Sequence, residues 1–304
     1  MASTQNTDNA SKRTVAALGL FDGVHLGHRS VIDFAASMGS CQVVTFAAET
    51  MPLKQGHPIR YIYNDEQRRR LLTACGADTV LALPFGEIHE LDGLSFCRRI
   101  LCEQLHADAV VCGEDYRFGR GGACTADDLV GFGQELGFDA FFVPQVRDSD
   151  GQVISASHIR SLLENGQTET ANRLLGSDYT ILATVTEGNH LGNQLGFPTA
   201  NQQFYPWQCI PRRGVYASFA CVDDLWVPAI TNIGSHPTIR GGLEFPIAET
   251  HLLDWNGDLC GRLLSVSLCR FLRPEQKFES ADALIMQIQR DIAMRKSLLR
   301  RDAL

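Results

Sequence analysis

The sequence predicts two domains of different class: a parallel α/β sheet over residues 14–176 and an antiparallel β-barrel with a terminal helix over residues 177–304. Three observations carry this. The chain has 304 residues, about two domains at roughly 150 residues each. In the first half, short apolar runs alternate with amphipathic stretches, the pattern of parallel strands joined by helical crossovers. Past Gly176 the strand-like runs follow one another closely, parted by turns such as Asn256-Gly257-Asp258, the pattern of an antiparallel barrel.

Residues 1–13 are rich in Ser, Thr and Asn and read as a disordered lead-in. Val15–Leu20, Cys41–Phe46, Thr79–Leu83, Ala109–Cys112 and Asp139–Val143 are apolar runs of strand length, expected to be buried on both faces. Asn64–Cys75 and Ser95–Leu105 show helical periodicity, and a helical stretch from Ser157 to Leu175 closes the first domain. In the second, Tyr179–Thr186, Gly214–Val222, Trp226–Thr231, Ala248–Asp254 and Leu263–Leu268 are strand-like, and an amphipathic helix runs from about Ser280 to Leu299. Ligands of a parallel sheet bind beyond the carboxyl ends of its strands, so chemistry is expected in the loops after them.

The formal charge of −8 is uneven: residues 1–176 hold 22 acidic and 15 basic residues, the remainder 13 and 12. An acidic chain is a poor ligand for duplex nucleic acid. Small anions remain open to it, because backbone N–H groups at a helix start bind phosphate whatever the net charge. The ten cysteines include no C-x-x-C pair, and several, such as Cys112 and Cys221, sit inside apolar runs. That argues against zinc and disulfides and for free thiols in a reducing cytoplasm. Neither a secretory h-region nor a membrane-length apolar run is present, so no membrane association is expected. Arg68-Arg69-Arg70 reads as the polar face of a helix, and Arg295-Lys296 and Arg300-Arg301 as charges complementing a helix C-terminus.

Two segments carry chemistry. In the first, a strand runs into Gly19-Leu20-Phe21-Asp22-Gly23-Val24-His25-Leu26-Gly27-His28. The glycines admit close approach of a ligand, and the following helix turns free N–H groups toward it. His25 and His28 share a helix face and suit a triphosphate; the plainer alternative is a tight turn with solvated histidines. The second is Gly188-x-x-x-Gly192-x-x-x-Gly196-Phe197-Pro198-Thr199-Ala200-Asn201. No Gly-Lys-Ser/Thr follows, so it is not a P-loop. Pro198 extends the chain and presents Thr199 and Asn201, two hard oxygen donors suited to Mg²⁺ beside phosphates, with Mn²⁺ accepted by the same atoms. The plainer alternative is a glycine-rich hairpin.

These segments resemble the bacterial bifunctional riboflavin kinase/FMN adenylyltransferase family: an H-x-G-H nucleotidylyltransferase-like, Rossmann-like first domain and a flavokinase-like barrel. The resemblance extends to Gly113-Glu114-Asp115-Tyr116-Arg117-Phe118-Gly119, to Ile154-Ser155-Ala156-Ser157-His158-Ile159-Arg160 and to Ala248-Glu249-Thr250-His251. It implies ATP as co-substrate, with riboflavin, FMN and FAD as substrates and products and no macromolecular partner, while a homo-oligomer is left open. It implies a site for FMN and ATP at Gly19, Phe21, Asp22, Gly23, His25, His28, Asp115 and Ser155, with Ser157 and Arg160 on the leaving pyrophosphate. In the barrel it implies a nucleotide loop of Gly188, Gly192, Gly196 and Pro198, metal ligands Thr199 and Asn201, and Glu249 as the base; His251 reads as structural, and Phe278 as a flavin wall or a core residue.

The chain departs from the pattern in places. Relatives carry T-F-x-P-H-P where this chain has Thr45-Phe46-Ala47-Ala48-Glu49-Thr50-Met51-Pro52. Ala156 replaces a hydroxyl residue, Asn193 a basic one and His236 an arginine. The alternatives left open are a riboflavin kinase that has lost adenylyl transfer, and a flavin sensor without turnover.

Overall fold

The computed structural model describes residues 12–51, 60–188, 192, 195–236 and 245–302. The chain divides into two compact units, Met1–Pro52 with Arg68–Val153, and Leu53–Gln67 with Ile154–Leu304.

The first unit is built on five strands: β1 (Thr14–Leu18), β2 (Ser40–Phe46), β3 (Thr79–Leu83), β4 (Ala109–Gly113) and, after a small two-stranded hairpin of β5 (Arg117–Phe118) and β6 (Cys124–Thr125), β7 (Asp139–Val143). They lie in the order β3-β2-β1-β4-β7, all parallel. Alternation along β1 sends Val15 and Ala17 to one face and Ala16 and Leu18 to the other. The first face is covered by α1 (Leu26–Met38) through Val31, Ile32 and Ala35, and by Leu72 of α2 (Asp65–Ala74). The other is covered by Ile88, Phe96, Leu101 and Leu129. Those residues come from short helices α3 (Phe85–Ile88) and α4 (Gly93–Phe96), a π-helical segment at Cys97–Gln104, and α5 (Ala126–Leu136). The periodicity expected over Ser95–Leu105 is thus met by a wider helix, which side-chain spacing does not distinguish from an α-helix.

The second unit is a closed antiparallel barrel, as the turn spacing predicts. Its strands are β8 (Tyr179–Thr186), β9 (Ala200–Gln203), β10 (Gly214–Val222), β11 (Leu225–His236), β12 (Phe245–Leu252) and β13 (Leu263–Pro274), closed in the order β10-β11-β12-β9-β8-β13. β9 begins on the last two residues of the glycine motif and was not expected as a strand. Inside, Ser218, Thr231 and Thr250, all 0% exposed, form a hydroxyl chain at 2.8 and 3.0 Å, so each buried oxygen has a partner.

Helix α8 (Ala281–Asp302) is bolted to the barrel by charge. Arg273 of β13 holds Asp291 with a forked set of hydrogen bonds at 2.8–3.1 Å. Arg295, 1% exposed, donates to the Ser218 carbonyl at 3.2 Å and lies 4.2 Å over the Phe219 ring. Arg295 therefore does not merely complement the helix dipole. It stands four residues after Asp291, on the buried stripe.

The helical stretch Ser157–Leu175 is two helices, α6 (Ala156–Glu164) and α7 (Thr168–Leu175), broken where Gly166 takes φ 76°. Both belong to the barrel unit. So does Arg60–Gln67: Tyr61 packs on Trp207, Tyr63 stacks on Tyr179 at 5.5 Å, and Asn64 donates to the Leu182 carbonyl at 3.0 Å.

Candidate functional site

Each unit carries a site. In the first, Leu18 of β1 pairs with Cys112 of β4, so the loops after Gly19 and Gly113 leave the sheet side by side, where such sheets bind ligands. The chain after Gly19 turns through Phe21, Gly23 and Val24, at φ 50°, 83° and 43°. Two non-glycine residues held left-handed need surroundings that fix them. Phe21 is fixed by burial, 1% exposed, with its ring edge-on to His28 at 5.3 Å; a Cβ on Gly19 would meet that ring at 2.9 Å. Asp22 is buried in the same loop.

His25 caps α1: its Nδ1 accepts the His28 backbone N–H at 3.3 Å, so the ring proton sits on Nε2. The two imidazoles stack at 3.6 Å. Burial pulls His25 down to about 4. It pulls His28 well below the ordinary histidine value, helped by the charges of His25 and Arg68. Both rings are neutral near pH 7, so what they can offer an anion is an N–H donor and not a charge.

Arg68 is not on a polar face. It is 1% exposed, donates to the Leu20 carbonyl at 2.9 Å and also binds the Phe46 carbonyl, tying the loops after β1 and β2 together. The signal was present: Arg68 lies one helical turn before Leu72, the buried apolar residue of α2. After Phe46, Ala48–Thr50 form a single turn of 3-10 helix with Glu49 exposed, and Thr50 Oγ1 accepts the N–H of Phe85, the first residue of α3, at 2.9 Å. Asp115 is exposed and accepts from Gln145 Nε2 at 3.2 Å. Ser155 caps α6 by accepting the His158 N–H, and Ser157 Oγ accepts from Arg160 Nη2 at 2.9 Å. Ser155, Ser157 and Arg160 belong to the barrel unit, and the histidine loop belongs to the first.

In the barrel, a cavity of about 690 Å³ is lined by residues of the glycine motif, β11, β12, the turn after β12, the end of β13 and α8. Gly188, Gly192, Pro198, Thr199, Asn201 and Glu249 all line it. The glycines serve their own loop as much as a ligand: a Cβ on Gly188 would overlap Asn201 Nδ2, and one on Gly192 would meet the Phe197 carbonyl at 2.5 Å. Gly196, at φ 84°, makes the turn before Pro198. His251, two residues after Glu249, reaches back to the Pro198 carbonyl at 2.8 Å and meets Phe197 edge-on. A carbonyl only accepts, so His251 Nδ1 is the donor. Its part is to hold the loop.

Register does the rest. Glu249 pairs with Asn201 across β9 and with Asn232 across β11, and Asn232 Nδ2 donates to Glu249 Oε2 at 3.2 Å. Asn232 was not foreseen, because register cannot be read from one strand alone. Phe278 lines the cavity under the Arg273 guanidinium, 5.9 Å away. Asn193 lies outside the described residues, and nothing is described of the His236 side chain.

The sequence matches the family description "FAD synthetase" over residues 7–158 and "Riboflavin kinase" over residues 175–299. It is 34% identical over 300 residues to the bifunctional riboflavin kinase/FMN adenylyltransferase of Pseudomonas fluorescens, spanning 93% of this chain and 92% of that one. The chain belongs to the bifunctional riboflavin kinase/FMN adenylyltransferase family. Family members from Escherichia coli K12 and Bacillus subtilis 168 are 34% and 32% identical, each spanning at least 91% of this chain and 90% of its relative. A crystal structure described as a macrolide-efflux protein from Streptococcus pneumoniae shares the fold, with a TM-score of 0.79 at 27% identity over 93% of this chain and 94% of that one. No described helix is long and apolar enough to cross a membrane. Among the described residues no cluster of His, Cys, Asp or Glu forms a metal site. Thr199 and Asn201, which line the cavity, offer neutral oxygens of a kind that fits a hard cation sharing its ligands with phosphate.

Proposed function

We propose that the chain phosphorylates riboflavin to FMN in its barrel and adenylylates FMN to FAD in its α/β domain, each with ATP. Activity divides at 14–176 and 177–304 in this reading, although α6 and α7 pack with the barrel. The pairing of Glu249 with Asn201 at the cavity wall is the observation that carries it.

In the kinase step, Glu249 accepts the proton of the riboflavin 5′-hydroxyl, whose oxygen then bonds to the γ-phosphorus of ATP while the bond to the β,γ-bridging oxygen breaks and ADP leaves. Asn232 steadies the carboxylate. Thr199 and Asn201 would hold Mg²⁺, or Mn²⁺ in its place, which neutralises phosphate charge when bound. Gly188, Gly192, Gly196 and Pro198 shape the loop that carries these ligands.

In the adenylyl step, an FMN phosphate oxygen attacks the α-phosphorus and pyrophosphate leaves, with no covalent enzyme intermediate. Gly19, Phe21, Asp22 and Gly23 form the loop, His25 and His28 donate to the triphosphate, Asp115 orients a substrate, and Ser155, Ser157 and Arg160 receive the pyrophosphate. The partners in this reading are small molecules, without nucleic acid or membrane, in the cytoplasm; a homo-oligomer is compatible with it. The test is to supply riboflavin, ATP and Mg²⁺ and follow FMN, FAD and pyrophosphate. Both flavin products support the reading; FMN without FAD leaves a kinase with a silent first domain, and neither product leaves a binding protein.

A further inference from the structure

We propose that Glu275 is a riboflavin-binding residue: its carboxylate accepts a hydrogen bond from a ribityl hydroxyl next to the one that reacts, turning the terminal CH₂OH toward Glu249. The inference rests on the kinase reading of the barrel cavity.

Asn232 and Gly234 stand two apart on β11 and face the same way. A Cβ on Gly234 would overlap Glu275 Oε1 and lie 3.2 Å from Asn232 Nδ2. The glycine thus opens a slot that Glu275 fills, beside the amide that holds Glu249. Glu275 lines the same cavity as Glu249, and it has no hydrogen-bond or ion-pair partner among the described residues.

The strand order says which substrate meets it. β12 carries Glu249 between β9 on one side and β11 on the other. The phosphate end of the reaction belongs to the β9 side, with Thr199 and Asn201. The alcohol end then falls on the β11 side, under Glu275. A carboxylate repels polyphosphate but accepts readily from hydroxyls. The ribityl chain offers vicinal hydroxyls there; ATP would offer charge of the wrong sign.

The test compares riboflavin with a flavin bearing a 5-hydroxypentyl chain at N10, which keeps the reacting alcohol and lacks the others. Glu275→Ala should raise the riboflavin KM ~10-fold or more, the loss of one hydrogen bond to a charged acceptor. It should leave the ATP KM and the hydroxypentyl-flavin KM unchanged, and Glu275→Gln, which keeps an acceptor oxygen, should recover most of the loss. Gly234→Ala, which displaces the carboxylate without removing it, should reproduce the Glu275→Ala pattern. An unmoved riboflavin KM in Glu275→Ala, or an equal rise for both flavins, overturns the proposal while leaving the kinase reading intact. Wild-type chain that forms no FMN overturns both.

Discussion

At the residue scale, the two sites use ionisable groups in opposite ways. Glu249 is partly open, and in the proposed kinase step it takes a proton from an alcohol. Glu249→Gln is expected to lower FMN formation by at least ~100-fold while riboflavin still binds, measured as flavin fluorescence quenching beside the turnover assay. His25, by contrast, is kept neutral by burial. An unfolded histidine titrates near 6.5, whereas His25 in the fold does so at about 4. Between those values the unfolded chain binds a proton that the folded chain refuses. Stability is therefore complete above pH 6.5 and falls as the pH drops toward 4, by on the order of 3 kcal/mol from this group. Thermal unfolding from pH 7 to pH 4.5 should show the fall, and His25→Asn should flatten it. The sequence placed His25 and His28 on one helix face, but not their neutrality, which comes from burial by residues distant along the chain. The same holds for Arg68, set in a run of three arginines whose outer face was easier to see than its inner one.

At the element scale, most of the fold was legible because period and punctuation are local. All five strands of the parallel sheet, five of the six barrel strands and the terminal helix follow from apolar runs and turn residues. What escaped depends on partners. β9 is four residues long and polar in sequence, and it is a strand because β8 and β12 flank it. The break between α6 and α7 falls at Asn165-Gly166, which periodicity alone runs through. The glycine motif was read as making room for a ligand, whereas Gly188 makes room for Asn201. Gly188→Ala should displace Asn201 and reduce FMN formation by ~100-fold, the usual scale for a displaced catalytic group, with FAD formation from supplied FMN unaffected. Asp291→Ala strands the guanidinium of Arg273 between barrel and helix. It should cost about 3 kcal/mol, as when one partner of a buried pair is removed, read as a lower midpoint in chemical denaturation.

At the scale of the whole molecule, two different chemistries share one chain. His28→Ala should abolish FAD formation and spare FMN formation, and Glu249→Gln should do the reverse. Mixed in one vessel, the two variants should convert riboflavin to FAD through FMN released into solution. Failure of the mixture, with each variant active in its remaining step, would mean that FMN passes between sites without release. The histidine missing after Phe46 raised the question whether the first activity survives; membership of a bifunctional family across both domains favours that it does.

The short segment Arg60–Gln67 packs with strands that follow it by more than a hundred residues. At ~5–20 residues per second, Tyr63 leaves the ribosome roughly 6–20 s before Tyr179, the ring it stacks on. During synthesis two tyrosines and an isoleucine that end fully buried must wait for strands not yet made. The chain cannot finish its first half before starting its second, and a cut at either end of α7 would part the barrel strands from Arg60–Gln67, the segment that packs on β8.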